Sequence, residues 1–597
     1  MCEKRRERMD SQKRENLLNL ALDASEGERE RSLELNVGFN AEEETWEVIV
    51  RYTGDLARYQ EEGIKVVELL GGYAILTVTR AQLNRLSLIP EIAYIEKPKR
   101  LFFGVDRGRA VSCIAPLQAM PVGGQMDNRL FGKGVLVAIL DSGIDYSHPD
   151  FRKEDGTTRI LRIWDQTLVP KEGQKAPDGY QIGVEFTEEQ INEALSKSTQ
   201  AERRELVPVV DSSGHGTAVA GIAAGNGNGS GGKYRGIASE SELVIVKLGI
   251  SRPEAFPRTT ELMQGIDYVV RLAARLYMPV SINVSIGNTY GSHDGTSLLE
   301  TYLDMASDMG RNVIVVGTGN EAAANGHTSG RLQERVDTVI EMGVSVYESK
   351  LNIQIWKYYV DNFLIEVVSP SGVQAGPFRQ ELGSQRFTLG NTEILLYYGE
   401  PSPYSKAQEI FLDFIPSKGA SYLNSGIWRF RLIPQRIVEG VFHMWLPSSG
   451  ALNFGTGFTI SSPDTTLTIP STSAKVISVG AYDSNLNAYA DFSGRGYTRV
   501  TNQVKPDIVA PGVGIMTAAP GGGYSARTGT SFAGPFVTGS AALMMEWGII
   551  LENDRYLYGE KVKAYLQRGA KQLPGYEMWP NPQLGWGALC LRDSLPG

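Results

Sequence analysis

Val137-Ala-Ile-Leu-Asp141-Ser-Gly-Ile-Asp145 is an apolar run that ends in a carboxylate and a Ser-Gly turn. Apolar residues at successive rather than alternate positions predict a strand covered on both faces, with Asp141 standing just past its carboxyl end. Leu243-Val-Ile-Val-Lys-Leu, Ser281-Ile-Asn-Val-Ser and Val313-Ile-Val-Val repeat the pattern, and Thr260 to Leu276 and Ser297 to Gly310 have helical spacing between them. This alternation of strand and helix predicts an α/β fold with a doubly wound parallel sheet, in which sites form beyond the carboxyl ends of strands.

Two distant segments supply what Asp141 lacks: Ser213-Gly-His215-Gly-Thr-Ala-Val-Ala-Gly221 and Gly529-Thr-Ser531-Phe-Ala-Gly-Pro535. A serine hydroxyl is unreactive at neutral pH unless an imidazole takes its proton. The imidazole in turn needs a carboxylate to hold its tautomer and stabilise its charged form. Asp141, His215 and Ser531 meet that need in chain order. Each segment also has a plain reading: Asp141 as a strand end turning into a loop, Ser531 as a helix N-cap. The conjunction carries the weight, in a chain with only five histidines.

All three segments resemble the signatures of the subtilisin-like serine proteases, the subtilases. The order Asp, His, Ser is that of subtilisin and differs from the chymotrypsin and α/β-hydrolase orders. Val313-Ile-Val-Val-Gly-Thr-Gly-Asn320-Glu is similar to the strand and turn that carry the family's oxyanion-hole asparagine, so the resemblance gives Asn320 that role. In subtilisin itself the loss of this donor costs about 3 kcal/mol. Ile282-Asn-Val-Ser285-Ile-Gly287-Asn resembles the strand that lines the substrate cleft, which implies that Ser285, Ile286 and Gly287 bind the substrate main chain as an added strand. A buried parallel strand is the plainer reading of the same residues. Val504-Lys-Pro-Asp-Ile-Val-Ala-Pro511-Gly512 is another shared stretch, read as a structural turn, and His148 is read as packing the loop after Asp141.

Residues 1 to about 97 read as a separate unit. After a charged helical stretch through roughly Ser32, strands are expected at Trp46–Tyr52, Lys65–Leu70, Tyr73–Thr79 and Ile92–Glu96, with helices at Leu56–Gly63 and Arg80–Ser87. That order is the split ferredoxin-like arrangement. Subtilase propeptides share it, and end in an extended tail that enters the active site. The expected domains are thus 1–97 propeptide-like, 98–333 catalytic, 334–453 inserted and 454–597 catalytic again. In the insertion helix signals give way to alternating segments such as Leu351–Tyr359, Phe363–Val368, Glu393–Tyr398 and Ile427–Leu432, the pattern of an all-β sandwich or jelly roll. Its function is either substrate or partner binding or a clamp that adds buried surface.

Composition fits a packed enzyme: of 597 residues 42% are hydrophobic and 21% charged, and the net charge of -9 disfavours a general nucleic-acid binder. Cys2, Cys113 and Cys590, the only three cysteines, do not read as a disulfide framework, so a reducing compartment is expected. Met1-Cys-Glu-Lys-Arg-Arg-Glu-Arg-Met-Asp lacks the apolar core of a secretory signal, and no run is long enough for a membrane span. The expectation is a protein that is not classically secreted, cytoplasmic or spore-associated.

A propeptide-like region, no signal peptide and a β insertion after Asn320 together resemble a clostridial subgroup of subtilases, the Csp germination proteases. Asn36-Val-Gly-Phe-Asn and Thr45-Trp-Glu-Val-Ile-Val-Arg-Tyr-Thr-Gly54 are similar to the start of those proteins. The resemblance implies a serine endopeptidase that cleaves its own propeptide, keeps it bound, and activates the precursor of a spore cortex-lytic enzyme. It implies no required cofactor, with structural calcium bound as in many subtilases. A silent subtilase-fold scaffold or receptor in germination signalling is the alternative.

Overall fold

The computed structural model describes residues 13–596 other than 33, 57–58, 60–62, 100–101, 104–110, 119–128, 250–255 and 382. The chain divides into two compact units. One combines Met1–Arg100, Asn288–Leu298 and Glu321–Thr466; the other combines Leu101–Gly287, Leu299–Asn320 and Leu467–Gly597.

The second unit is built on a nine-stranded sheet. Ile477–Asp483, Asn312–Gly317, Val280–Val284, Leu136–Asp141, Glu242–Lys247 and Ile160–Asp165 lie side by side in parallel. Ile508–Pro511 adds a further parallel strand, so the stretch Val504–Gly512 contributes to the sheet and not only to a turn. Leu136–Asp141 is buried at every position, which is why its sequence is continuously apolar. The helices His215–Ala224 and Thr530–Met545 are buried all round, and their glycines and alanines let them sit against each other and the sheet.

One cysteine expectation needs correction: Cys113 and Cys590 form a disulfide across 477 residues of sequence. Spacing could not reveal this pair, because it is the fold that brings the segment at Ser112 to Leu591, where the Leu591 amide donates to the Ser112 carbonyl.

In the first unit, Lys65–Leu69, Tyr73–Thr79, Thr45–Tyr52 and Ile92–Glu96 form an antiparallel sheet in that spatial order, the ferredoxin-like one. Helix Arg80–Ser87 starts at a capping box made by Thr79 and Gln82. The other expected helix, Leu56–Gly63, falls mostly outside the described residues. The charged start of the chain forms two helices, Asn16–Asp23 and Glu26–Arg31, the second opened by a Ser25–Glu28 capping box.

The all-β part is a sandwich of two antiparallel sheets. One runs His327–Arg331, Val441–Trp445, Leu351–Tyr358, Ala407–Pro416, Thr392–Tyr398, Gln385–Leu389; the other runs Gln374–Phe378, Asn362–Val368, Gly426–Arg436, Thr338–Val344, Gly457–Phe458. Side-chain alternation splits the first sheet between two cores. Ile394, Leu396, Ile410, Leu412 and Phe414 fill the sandwich. Leu395, Tyr397, Phe411 and Ile415 face the other way and join Leu17, Leu18, Val48 and Leu76 of the N-terminal region in one cluster. Charged pairs rim this contact: Arg386 Nε lies 2.7 Å from Glu28 Oε1 and Arg31 Nη2 lies 3.1 Å from Glu393 Oε2.

Candidate active site

Asp141 ends its strand fully buried, and its Oδ1 accepts from the Ser142 amide at 2.7 Å and lies 2.6 Å from His215 Nδ1. His215 is the first residue of its helix. Gly214 precedes it at φ +70°, a left-handed turn that glycine adopts without strain. Gly216 follows, where any Cβ would collide with the Gly143 carbonyl and come within 3.2 Å of Asp141 Cβ. Glycine is therefore what lets the helix start approach the loop after Asp141.

A second carboxylate holds that helix start in place. Asp211 Oδ1 accepts from the Gly214 amide at 2.9 Å and the Ser142 hydroxyl at 2.8 Å, while Oδ2 accepts from the Thr217 amide at 2.8 Å and hydroxyl at 2.7 Å. These are donors that a helix N-terminus leaves without intrahelical partners. Sequence reasoning passed over Asp211; an acid just before a Gly-His helix start was its signal.

Ser531 sits in the first turn of Thr530–Met545. Its Oγ donates to the Ser285 carbonyl at 3.0 Å, and Ser285 Oγ donates to the Ser531 carbonyl at 2.8 Å. Behind them Asn283 Nδ2 donates to Ser285 Oγ at 2.7 Å, and Thr538 Oγ1 donates to Asn283 Oδ1 at 3.0 Å. The His215 ring packs edge-on against Phe532 with centroids 4.9 Å apart. Asn320 Oδ1 accepts from the amide and hydroxyl of Thr530, which leaves Nδ2 as the amide's donor. Thr530 was quoted in the sequence only as the residue before Ser531; its position beside the nucleophile was the available signal.

The cleft-wall residues also come together with the nucleophile. Ile286 and Gly287 pair antiparallel with Phe103 and Phe102, so this wall takes an added strand from its own chain. His148 lies apart from these groups and packs its loop, with Nδ1 accepting from the Asp150 amide and Nε2 3.0 Å from the Gly523 carbonyl. The arrangement unites a buried acid–imidazole pair, a hydroxyl at a helix start, a fixed amide donor and a strand-accepting wall. Among the described residues no group of three or more His, Cys, Asp or Glu is placed to hold a metal ion.

Comparison with known proteins agrees with this geometry. Residues 12–99 match the Csp protease B prodomain, and residues 132–352 and 451–587 match the subtilase family. The solved Clostridium perfringens CspB protease is 34% identical, with a TM-score of 0.73 over 81% of this chain and 95% of that one. The minor extracellular protease Vpr of Bacillus subtilis is 23% identical over 496 residues, 78% of this chain and 52% of Vpr. Serine protease AprX of the same organism is 36% identical over 158 residues, 23% of this chain and 34% of AprX. The chain spans about half or less of the length of these curated relatives. With its subtilisin-like α/β fold and N-terminal prodomain, the chain belongs to the subtilase family of serine proteases.

Proposed function

We propose that Asp141, His215 and Ser531 are the catalytic triad of this endopeptidase. The observation that supports the reading is the buried 2.6 Å contact of Asp141 Oδ1 with His215 Nδ1, the pairing in which a carboxylate holds an imidazole with its Nε2 left to act as the base. Ser531 Oγ attacks a peptide carbonyl carbon while its proton passes to His215 Nε2. Asn320 Nδ2 and the Ser531 amide receive the oxyanion. The C–N bond then breaks as His215 returns the proton to the leaving amine, and water repeats the sequence on the acyl-enzyme. Ser285, Ile286 and Gly287 hold the substrate main chain.

The finer reading is that the enzyme first cuts its own prodomain free, keeps it bound, and then activates a protein precursor such as a spore cortex-lytic enzyme, in a spore-associated setting. Its support is the Csp protease B prodomain together with 34% identity to a Csp protease.

The whole chain and its Ser531→Ala variant, compared by intact mass and N-terminal sequencing, test the triad. A cut parent and a whole variant are expected. Equal cutting of both, or none in either, sinks the assignment.

A further inference from the structure

The two ends of the β-sandwich differ in chemistry. One end is made by loops 345–350, 369–373, 390–391, 417–425 and 446–456, and the charged residues in them are Glu348, Lys350 and Lys418. At the other end, loops 359–361, 379–384, 399–406 and 437–440 carry Asp361, Glu381, Glu400 and Glu439 against Arg379 and Lys406.

At the first end the carboxylate is turned inward. Glu348 is 3% exposed; its Oε2 accepts from the Asn453 amide at 3.0 Å and the Thr456 hydroxyl at 2.7 Å, and its carbonyl accepts from the Leu423 amide at 2.8 Å. Three loops are thereby braced together, and the Ser345 hydroxyl adds a bond to the Phe454 carbonyl at 2.6 Å. The brace carries apolar groups outward. Phe454 is fully exposed, Tyr347 is 70% and Val346 62% exposed, and Val373, Tyr422 and Ile427 are exposed at the same end. The Tyr347 ring meets Tyr422 edge-on with centroids 5.3 Å apart. On the strands that lead into this end, Arg429 and Glu341 neutralise each other at 2.8 Å.

Apolar groups gathered and held outward in this way mark a contact surface. A peptide is bound in a groove, whereas these side chains stand out from loops. A nucleic acid would need a larger set of cations. An uncovered phenyl ring with aliphatic groups, flanked by tyrosines whose hydroxyls stay wet, suits the boundary between lipid headgroups and acyl chains. Among the described residues of these loops no carboxylate faces outward, so in a chain of net charge -9 this is the end of the sandwich that negative headgroups can approach. We propose that this end docks the protein on an anionic lipid surface, with Phe454 and Val346 entering the boundary and Lys418 at the headgroups.

Co-sedimentation of the full chain with vesicles tests this, using phosphatidylcholine alone and phosphatidylcholine mixed with phosphatidylglycerol. Pelleting with the mixed vesicles is expected, and it should fall as salt is added. Phe454→Ser should weaken binding about tenfold, the loss of one buried ring. Lys418→Gln should weaken it about fivefold, the worth of one basic residue near such a surface. Val438→Ser, at the other end of the sandwich, should bind as the parent does. Hydrogen exchange of the parent needs no substitution, and the vesicles should slow it in loops 345–350, 417–425 and 446–456. The inference is overturned if the mixed vesicles leave the chain in solution, if phosphatidylcholine alone binds it equally, or if Phe454→Ser binds as the parent does. Protection that falls elsewhere in the chain overturns it too. A parent that ignores vesicles but forms dimers that Phe454→Ser dissociates gives this end to a second copy instead and overturns the lipid surface.

Discussion

Asn320 Oδ1 and Thr530 are joined by two hydrogen bonds, one from the Thr530 amide at 3.0 Å and one from its hydroxyl at 3.2 Å. Both land on the carboxamide oxygen, so Thr530 leaves Nδ2 as the end of Asn320 for the oxyanion role proposed for it. Thr530→Val keeps the amide bond, removes the other together with the bond that the hydroxyl accepts from the Gly319 amide, and should lower kcat about tenfold with KM little changed; Thr530→Ser should restore it. Asn320→Ala should cost about 10²–10³ in kcat. A Thr530→Val enzyme with raised KM and intact kcat would show that the residue serves binding instead.

Asp141→Asn is close to isosteric in its buried site, so the fold should survive. An amide in place of the carboxylate holds His215 in the wrong tautomer, and a loss of about 10⁴ in kcat is expected. Self-processing rate and circular dichroism together check this. Processing at the parent rate in a folded variant would remove Asp141 from the triad.

Most of the catalytic unit was legible because its signals are local. Continuous apolar runs such as Val313-Ile-Val-Val match strands buried on both faces, and Asp141, His215, Ser531 and Asn320 lie in motifs whose spacing carries the chemistry. What escaped depends on through-space contact. Asp211 and Thr530 act by hydrogen bonds that only the fold creates, and Cys113 meets Cys590 from the far end of the chain. Ala407–Pro416 was missed as a strand because Gln408, Glu409 and Asp413 interrupt its apolar pattern, yet all ten positions are buried. Its second face is covered by the N-terminal region, a fact no alternation rule contains.

That covered face yields a prediction about retention of the prodomain. Phe411 is 1% exposed in the cluster shared with Leu17, Leu18 and Val48. Phe411→Ala should cost about 3–5 kcal/mol and release the N-terminal fragment on size-exclusion chromatography after cleavage. Arg386→Ala removes the part-exposed pair with Glu28, worth at most about 1 kcal/mol, and a bond to the Asp23 carbonyl, and with the apolar cluster intact it should leave the fragment bound. If Phe411→Ala lowers stability while the fragment stays, some other contact retains it.

Glu409, on the same strand, gives this unit a pH dependence. Lys99 Nζ lies 2.8 Å from both Glu15 Oε1 and Glu96 Oε1, so its charge is shared by two carboxylates, while the Glu409 side chain accepts from Asn16 Nδ2 at 3.4 Å. Burial, followed by the charge of Glu15, pushes the Glu409 carboxyl up to about 8 against an ordinary 4.5, with Glu96 adding to the rise and Lys99 opposing it. Tyr94 faces the same cluster and is held protonated by its own burial. Between those two values the folded chain binds a proton that the unfolded chain has released, so stability must fall as pH rises. The contribution is complete below 4.5 and lost by about pH 8. Melting of the uncut Ser531→Ala chain at intervals from pH 5 to 8 should show this decline, and Glu409→Gln, which keeps the shape without the titration, should make it shallower, with burial of Asp413, pushed up to about 7, and of Glu15 supplying the slope that stays. An equal slope in both chains would mean that Glu409 does not take up the proton and that the decline comes from the other buried carboxyls.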